Sequence, residues 1–246
     1  MNDEHAGQRA ARHRFADQDI EALNDRLATE HPIDDYYARS PWPIRFTESR
    51  RLSIIRDMVG PHEDLEVLEI GVGGGHVLEM FGGASCTAVD VSDVYLELAK
   101  RRLAGREVRF LKGEVQELPL SPASFDRIIC TEVLEHTEDP DAILASIARL
   151  LKPAGVAVIT IPNERLIDRV KGAIRATRVD RALGLRIDWG GDAHHFQSWT
   201  DAEFRTLLSR HLRITARRAA PFGLLPLRLC YRCVRKEDAG PPLTPR

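Results

Sequence analysis

Three groups of residues carry chemistry in their types and spacing. Glu132-x-x-Glu135-His136 places two carboxylates and an imidazole within five residues. In a helix starting after a strand, positions i, i+3 and i+4 share one face, so these side chains are expected to converge. Further along, Asp192-Ala193-His194-His195-Phe196-Gln197-Ser198-Trp199 adds two imidazoles and an indole. Two chemistries suit the set. His136 or His195 would act as a general base, because an imidazole titrates near neutrality and can take the proton of a phenol or activated hydroxyl. Alternatively, Glu132, Glu135 and His136 together with His194 or His195 would hold a divalent metal, mixed oxygen and nitrogen ligands suiting Mg²⁺ or Mn²⁺ as well as Fe²⁺ or Zn²⁺.

The third group is a glycine turn. Val67-Leu68-Glu69-Ile70-Gly71-Val72-Gly73-Gly74-Gly75-His76 is an apolar run that stops in glycines, which reads as a strand feeding a tight turn. Gly71, Gly73 and Gly75 lack the Cβ atoms that would keep a polar ligand off the backbone. A dinucleotide fingerprint needs a glycine where this chain has His76, which weakens a phosphate-binding role. Asp90 ends the next apolar run, Cys86-Thr87-Ala88-Val89-Asp90. A carboxylate there can accept both ribose hydroxyls of a nucleoside, or serve as the N-terminal acid of the next helix.

These groups need a frame. Strands are expected at Val67–Ile70, Cys86–Asp90, Val108–Leu111 and Phe125–Cys130, with a fifth after Leu150-Leu151-Lys152-Pro153-Ala154-Gly155. They alternate with helices, the pattern of a parallel sheet covered on both faces. Ligands of such sheets sit outside the carboxyl ends of the strands, where every group above falls. A helix over about Thr47–Val59 should cover one face with Leu52, Ile55 and Val59. After Pro162 the spacing predicts a helix over Asn163–Ala176 in a basic stretch, with seven basic residues against three acids between 164 and 186. A helix capped by Thr200 follows over Asp201–Ser209, then strands over Leu212–Arg217 and Leu229–Val234 flanking an apolar loop, Pro221–Leu227.

From Leu65 to Pro162 this order of elements and motifs resembles the class I S-adenosylmethionine-dependent methyltransferases. The resemblance implies a Rossmann-like α/β fold whose sheet of about seven strands is mostly parallel with an antiparallel last strand. It further implies that Glu69, Gly71, Gly73 and Gly75 surround the amino-acid end of S-adenosyl-L-methionine, that Asp90 holds the ribose, and that Glu114 and Val115 frame the adenine, with Val91 and Thr131 also among the cofactor-binding residues. Tyr36, Tyr37 or Trp42 would lie over the cofactor as a lid, shielding the sulfonium or stacking on the acceptor, with His194 and Trp199 also on the acceptor side; packing on the core is the alternative for the aromatics. The Glu-x-x-Glu-His motif looks like two metal-using branches, the small-RNA 2′-O-methyltransferases and the ubiquinone-biosynthesis O-methyltransferases. Against the RNA branch, His195-Phe196-Gln197-Ser198-Trp199-Thr200 carries one extra residue.

Composition narrows the partners. Lysine and arginine number 35 against 37 acids, a net charge of −2 that gives no global field for nucleic acid or anionic membrane. The first residues lack the apolar core of a signal peptide and no run reaches membrane-spanning length, so a soluble, cytoplasmic protein is expected, with peripheral membrane contact left to local patches. Four cysteines are expected as reduced, buried thiols, with Cys230-x-x-Cys233 carrying a weaker hint of metal or redox chemistry. The chain divides into a helical arm and lid (1–59), a cofactor-binding core (60–162), a substrate-cap insertion (163–199), the last part of the sheet (200–236) and a mobile tail (237–246). The leading expectation is O-methylation of a small-molecule hydroxyl, on a secondary metabolite or lipid-like acceptor, by a monomer or homodimer in a biosynthetic role. The alternatives are a metal-dependent RNA ribose methyltransferase and a non-catalytic cofactor-binding module.

Overall fold

The computed structural model describes residues 25–26, 29, 39–177 and 196–238. The expected residues Tyr36, Tyr37, His194 and His195 lie outside them.

Seven strands form one sheet in the order β3-β2-β1-β4-β5-β7-β6: β1 (Glu66–Ile70), β2 (Ser85–Asp90), β3 (Val108–Lys112), β4 (Phe125–Thr131), β5 (Leu151–Pro162), β6 (Leu212–Phe222) and β7 (Leu225–Arg235). The first five pair in parallel, and β7 enters antiparallel between β5 and β6. Apolar residues on successive positions face opposite sides, which gives two cores from one sheet. Leu68, Ile128 and Ile159 face one cluster with Phe204 and Leu208, while Val67, Ile129 and Val158 face another with Ile55 and Met58.

Helices α1 (Trp42–Val59), α2 (Asp93–Arg102), α3 (Pro140–Leu150), α4 (Glu164–Thr177) and α5 (Asp201–His211) complete the frame. Helix α1 begins earlier than its apolar stripe suggests. Pro43 lies in its first turn, where a missing N–H breaks no helical bond. Helix α5 carries the expected Thr200 cap in reciprocal form: Glu203 N–H donates to the Thr200 hydroxyl, and the Glu203 carboxylate accepts from the Thr200 backbone.

The expected loop between the last strands is corrected. Residues 221–227 mostly extend β6 and β7 into a hairpin, turning at Gly223 and Leu224. The tip displays Phe222, Leu224 and Leu225, and Phe222 meets Phe46 of α1 with ring centroids 5.6 Å apart. With Trp42, these are the exposed large apolar side chains of the described residues. Because β7 runs antiparallel, its start lies at the carboxyl edge of the parallel strands, with Arg228 opposite Pro162. Among the described residues no helix is long and apolar enough to cross a membrane.

Cys230 and Cys233 are three apart on β7 and therefore belong to opposite cores, the geometry of packed thiols rather than a metal or redox pair. Burial pushes both up to about 12.

Replacing Thr200 by Ala removes the hydroxyl half of the α5 cap. Urea denaturation should show a loss of about 1 kcal/mol at unchanged m-value; an unaltered midpoint would contradict the capping assignment.

Candidate active site

The glycine turn follows β1 directly. Gly71 and Val72 both donate to the Val89 carbonyl, at 2.8 and 3.0 Å, tying the turn to the end of β2. Gly71 has φ 71°, and a Cβ there would stand 2.3 Å from Val133 Cγ2. Gly75, at φ 80°, would bring a Cβ to 3.3 Å from the Ala99 backbone of α2. These two glycines are required by packing and backbone sign, and the loop they permit lines a cavity of about 370 Å³.

Asp90 sits on the cavity wall with its orientation fixed. One oxygen accepts from Gly73 N–H at 2.9 Å and the other from Ser92 N–H at 3.0 Å. Burial nevertheless raises its pKa, only partly countered by those N–H groups, and Asp25 adds to the rise. Glu69 is 1% exposed and one of its oxygens has no hydrogen-bond partner. Burial drives its pKa well above the carboxylate range, with the Leu78 N–H and Arg51 working against the shift. Glu69 and Arg51 both line the cavity and sense each other, so this part of its wall pairs a carboxyl group with a guanidinium. That pairing is complementary to a zwitterionic amino-acid group, and Asp90 to vicinal hydroxyls.

Val91, Glu114, Val115 and Thr131, named from the sequence as cofactor-binding, also line the cavity. Tyr95, His76, Gln116 and Ile143 join them without having been expected. Glu48 and Arg51 were missed as well, although a signal existed. Extending the apolar stripe of α1 back from Leu52 and Ile55 lands on these two charges, and a charged pair on a buried face marks a site. Arg228 was missed because the expected strand began one residue later.

The Glu132–His136 segment departs from expectation. Glu132 has φ 56°, which ends the strand geometry, and Leu134–His136 form a single 3₁₀ turn, the next helix starting only at Pro140. The three side chains therefore share no helix face. Glu132 and His136 line the cavity. Glu135 turns inward, 1% exposed, with both oxygens lacking hydrogen-bond partners. Glu132 Oε1 accepts from the Thr160 hydroxyl at 2.9 Å, and its Oε2 lies 3.1 Å from Arg228 Nε. Among the described residues no three His, Cys, Asp or Glu side chains converge as a metal site; His194 and His195, the other ligands expected, lie outside those residues.

Two aromatic expectations are also corrected. Trp42 is 68% exposed on the first turn of α1 and lies outside the cavity lining. Trp199 stacks on Phe204 at 5.3 Å, and Phe204 on Tyr231 at 5.2 Å, in a row that belongs to the core. The segment after the insertion does return to the strand ends, as its order suggested: Phe196 and Gln197 N–H groups both donate to the Glu135 carbonyl, at 2.8 and 3.2 Å.

Burial, then the nearby Glu132 carboxylate, raises the Glu135 pKa well above 4.5, with Arg228 opposing in part. A carboxyl that binds its proton more tightly folded than unfolded stabilises fully below the unfolded value, and that contribution is lost as pH rises through the folded one. Glu135→Gln should therefore flatten the decline in stability above about pH 5, leaving the variant more stable by about 1–3 kcal/mol at pH 8. Denaturation profiles of parallel slope would contradict the burial of an ionisable Glu135.

Residues 68–159 match the model of a methyltransferase domain family. The chain is 36% identical over 146 residues to the ubiquinone biosynthesis O-methyltransferase of Nitrosomonas europaea, covering 57% of this chain and 62% of that protein. It is 38% identical over 126 residues to the mitochondrial ubiquinone biosynthesis O-methyltransferase of Schizosaccharomyces pombe, covering 48% and 45%. The match thus spans about half the length of these curated relatives. Among solved structures, magnesium protoporphyrin IX methyltransferase from Synechocystis PCC 6803 with bound S-adenosylhomocysteine superposes with a TM-score of 0.63 at 16% identity, covering 89% of this chain and all of that one. An S-adenosylmethionine-dependent methyltransferase from Mesorhizobium loti gives 0.59 at 17% identity, covering 77% and 100%. Residues 68–159 thus resemble a methyltransferase domain through the strands that build the cavity, and the sheet shares the fold of these methyltransferase structures.

Proposed function

We propose that the chain transfers a methyl group from S-adenosylmethionine to a hydroxyl of an apolar small molecule. The observation that carries this reading is the cavity itself, in which the glycine turn, Glu69 and Asp90 share one enclosure with His136. The residues present fit the cofactor. The unpartnered, buried Glu69 oxygen and the nearby Arg51 guanidinium suit an ammonium and a carboxylate, and the Asp90 carboxylate suits ribose hydroxyls. When bound, S-adenosylmethionine would supply an electrophilic methyl carbon that an oxygen nucleophile can take as its C–S bond breaks and S-adenosylhomocysteine leaves.

The chain's own tasks are then alignment and proton removal. Glu114 and Val115, which line the cavity, would hold the adenine, and Val91 and Tyr95, also in the lining, would lie on the ribose side with Asp90. His136 accepts the proton of the acceptor hydroxyl, held in place by the 3₁₀ turn through its N–H bond to the Val133 carbonyl at 2.9 Å. An apolar acceptor is supported by the exposed cluster of Phe46, Phe222, Leu224 and Leu225 at the carboxyl edge, the edge on which the cavity opens. The curated relatives bear the name of ubiquinone biosynthesis O-methyltransferases, which agrees with a small hydroxylated acceptor.

Incubation with methyl-labelled S-adenosylmethionine and a cell extract tests the reading. Label should pass into the organic phase as a base-stable methyl ether; label confined to protein or RNA would overturn it. With an acceptor in hand, His136→Ala should lower kcat by about 10²-fold or more while S-adenosylhomocysteine affinity stays within about twofold. Asp90→Asn should do the reverse of sparing affinity, weakening S-adenosylhomocysteine at least tenfold by calorimetry, about 1.4 kcal/mol. Equal behaviour of the two variants would contradict the division of roles.

A further inference from the structure

The cavity wall carries a chain of alternating charges. Glu132 Oε2 lies 3.1 Å from Arg228 Nε, which lies 3.3 Å from Glu48 Oε1. Glu48 Oε2 in turn accepts from Arg51 Nε at 2.7 Å. The four side chains come from the end of β4, the start of β7 and two turns of α1, and all four line the cavity. Glu48 and Arg51 are almost completely buried, a placement tolerated only when opposite charges are close and hydrogen-bonded. Two carboxylates and two guanidiniums leave the cluster formally neutral.

We propose that Arg228 is a built-in counter-cation, its guanidinium standing beside Glu132 in the place where the Glu-x-x-Glu-His resemblance would put a divalent metal. Arg228 acts as a positioning residue: it holds Glu132 against the cavity wall next to His136. The inference rests on the methyltransferase reading of the cavity and deepens it, because it assigns the local positive charge to a side chain.

Three observations carry it. Both Glu132 oxygens are engaged, one by Thr160 and one by Arg228. Glu135, the second carboxylate of the motif, faces the interior, away from the cavity lining. Arg228 is itself anchored from behind by Glu48, so an ion entering beside Glu132 would have to break two ion pairs and leave a guanidinium next to its own charge. A guanidinium keeps its charge across the working pH range and forms directed bonds, properties that suit a permanent counter-ion.

Manganese paramagnetic resonance tests this on the full chain, without any acceptor. Mn²⁺ is titrated into wild type, Arg228→Lys, Arg228→Ala and the double variant Arg228→Ala/Glu132→Gln, each with and without S-adenosylhomocysteine. Wild type and Arg228→Lys should leave the Mn²⁺ signal free. Arg228→Ala should bind Mn²⁺ at least tenfold more tightly than wild type, because Glu132 and Glu48 lose their shared cation, and the double variant should lose that gain. The proposal is overturned if wild type takes up one Mn²⁺ per chain and Glu132→Gln removes it, or if Arg228→Ala binds no more Mn²⁺ than wild type. Arg228→Gln removes the charge while keeping a polar side chain and reads the same gain should the alanine variant fail to fold by circular dichroism. Absence of S-adenosylhomocysteine binding by wild type would instead refute the methyltransferase reading, and the Mn²⁺ arms recorded without it remain separately legible.

Discussion

Negative charge buried at the carboxyl ends of parallel strands is the condition around which this site is built. Glu69 is next to last in β1, Asp90 ends β2, and Glu132 and Glu135 follow β4. Each would favour water over a protein interior, and each is answered differently. Backbone N–H groups of Gly73 and Ser92 hold Asp90, Thr160 and Arg228 hold Glu132, and Glu135 is turned inward, where burial favours its protonated form. Glu69 alone of these keeps an unpartnered oxygen on the cavity wall, the feature on which the proposed fit to a cofactor's ammonium group rests.

The sheet explains why these groups meet. Parallel pairing of β1, β2 and β4 aligns their carboxyl ends, and the turn after β1 folds back onto Val89 at the end of β2. Antiparallel entry of β7 then carries Arg228 to the same edge from the opposite chain direction. Helix α1 crosses behind and supplies Glu48 and Arg51. A cavity at the carboxyl edge is where such folds bind ligands, but the polarity of this one comes from side chains on five separate elements.

Much of this was legible in the residues themselves. The run from Val67 through the glycines, the acid at Asp90 and the alternation of apolar strands with helices specify a doubly wound sheet and its binding edge, because period and punctuation are local properties. The Thr200 cap was readable for the same reason. Three features were not. The 3₁₀ turn at Leu134–His136 replaces the expected helix because Glu132 adopts a left-handed backbone, which its residue type does not announce. Trp199 reads as an acceptor contact by its neighbours but packs on Phe204, itself in contact with Tyr231 of β7. The Glu48–Arg228 pair joins residues far apart in the chain, so only tertiary structure reveals it. Local signals set the frame, and the long-range ion pairs set the character of the site.

The account stands on the complementarity of this cavity to one ligand, and calorimetric titration of S-adenosylhomocysteine into the wild-type chain tests that most directly. One site per chain with a dissociation constant of about 10 μM or tighter, near −7 kcal/mol, is the predicted result. No heat beyond dilution, with the chain shown to be folded, would contradict it.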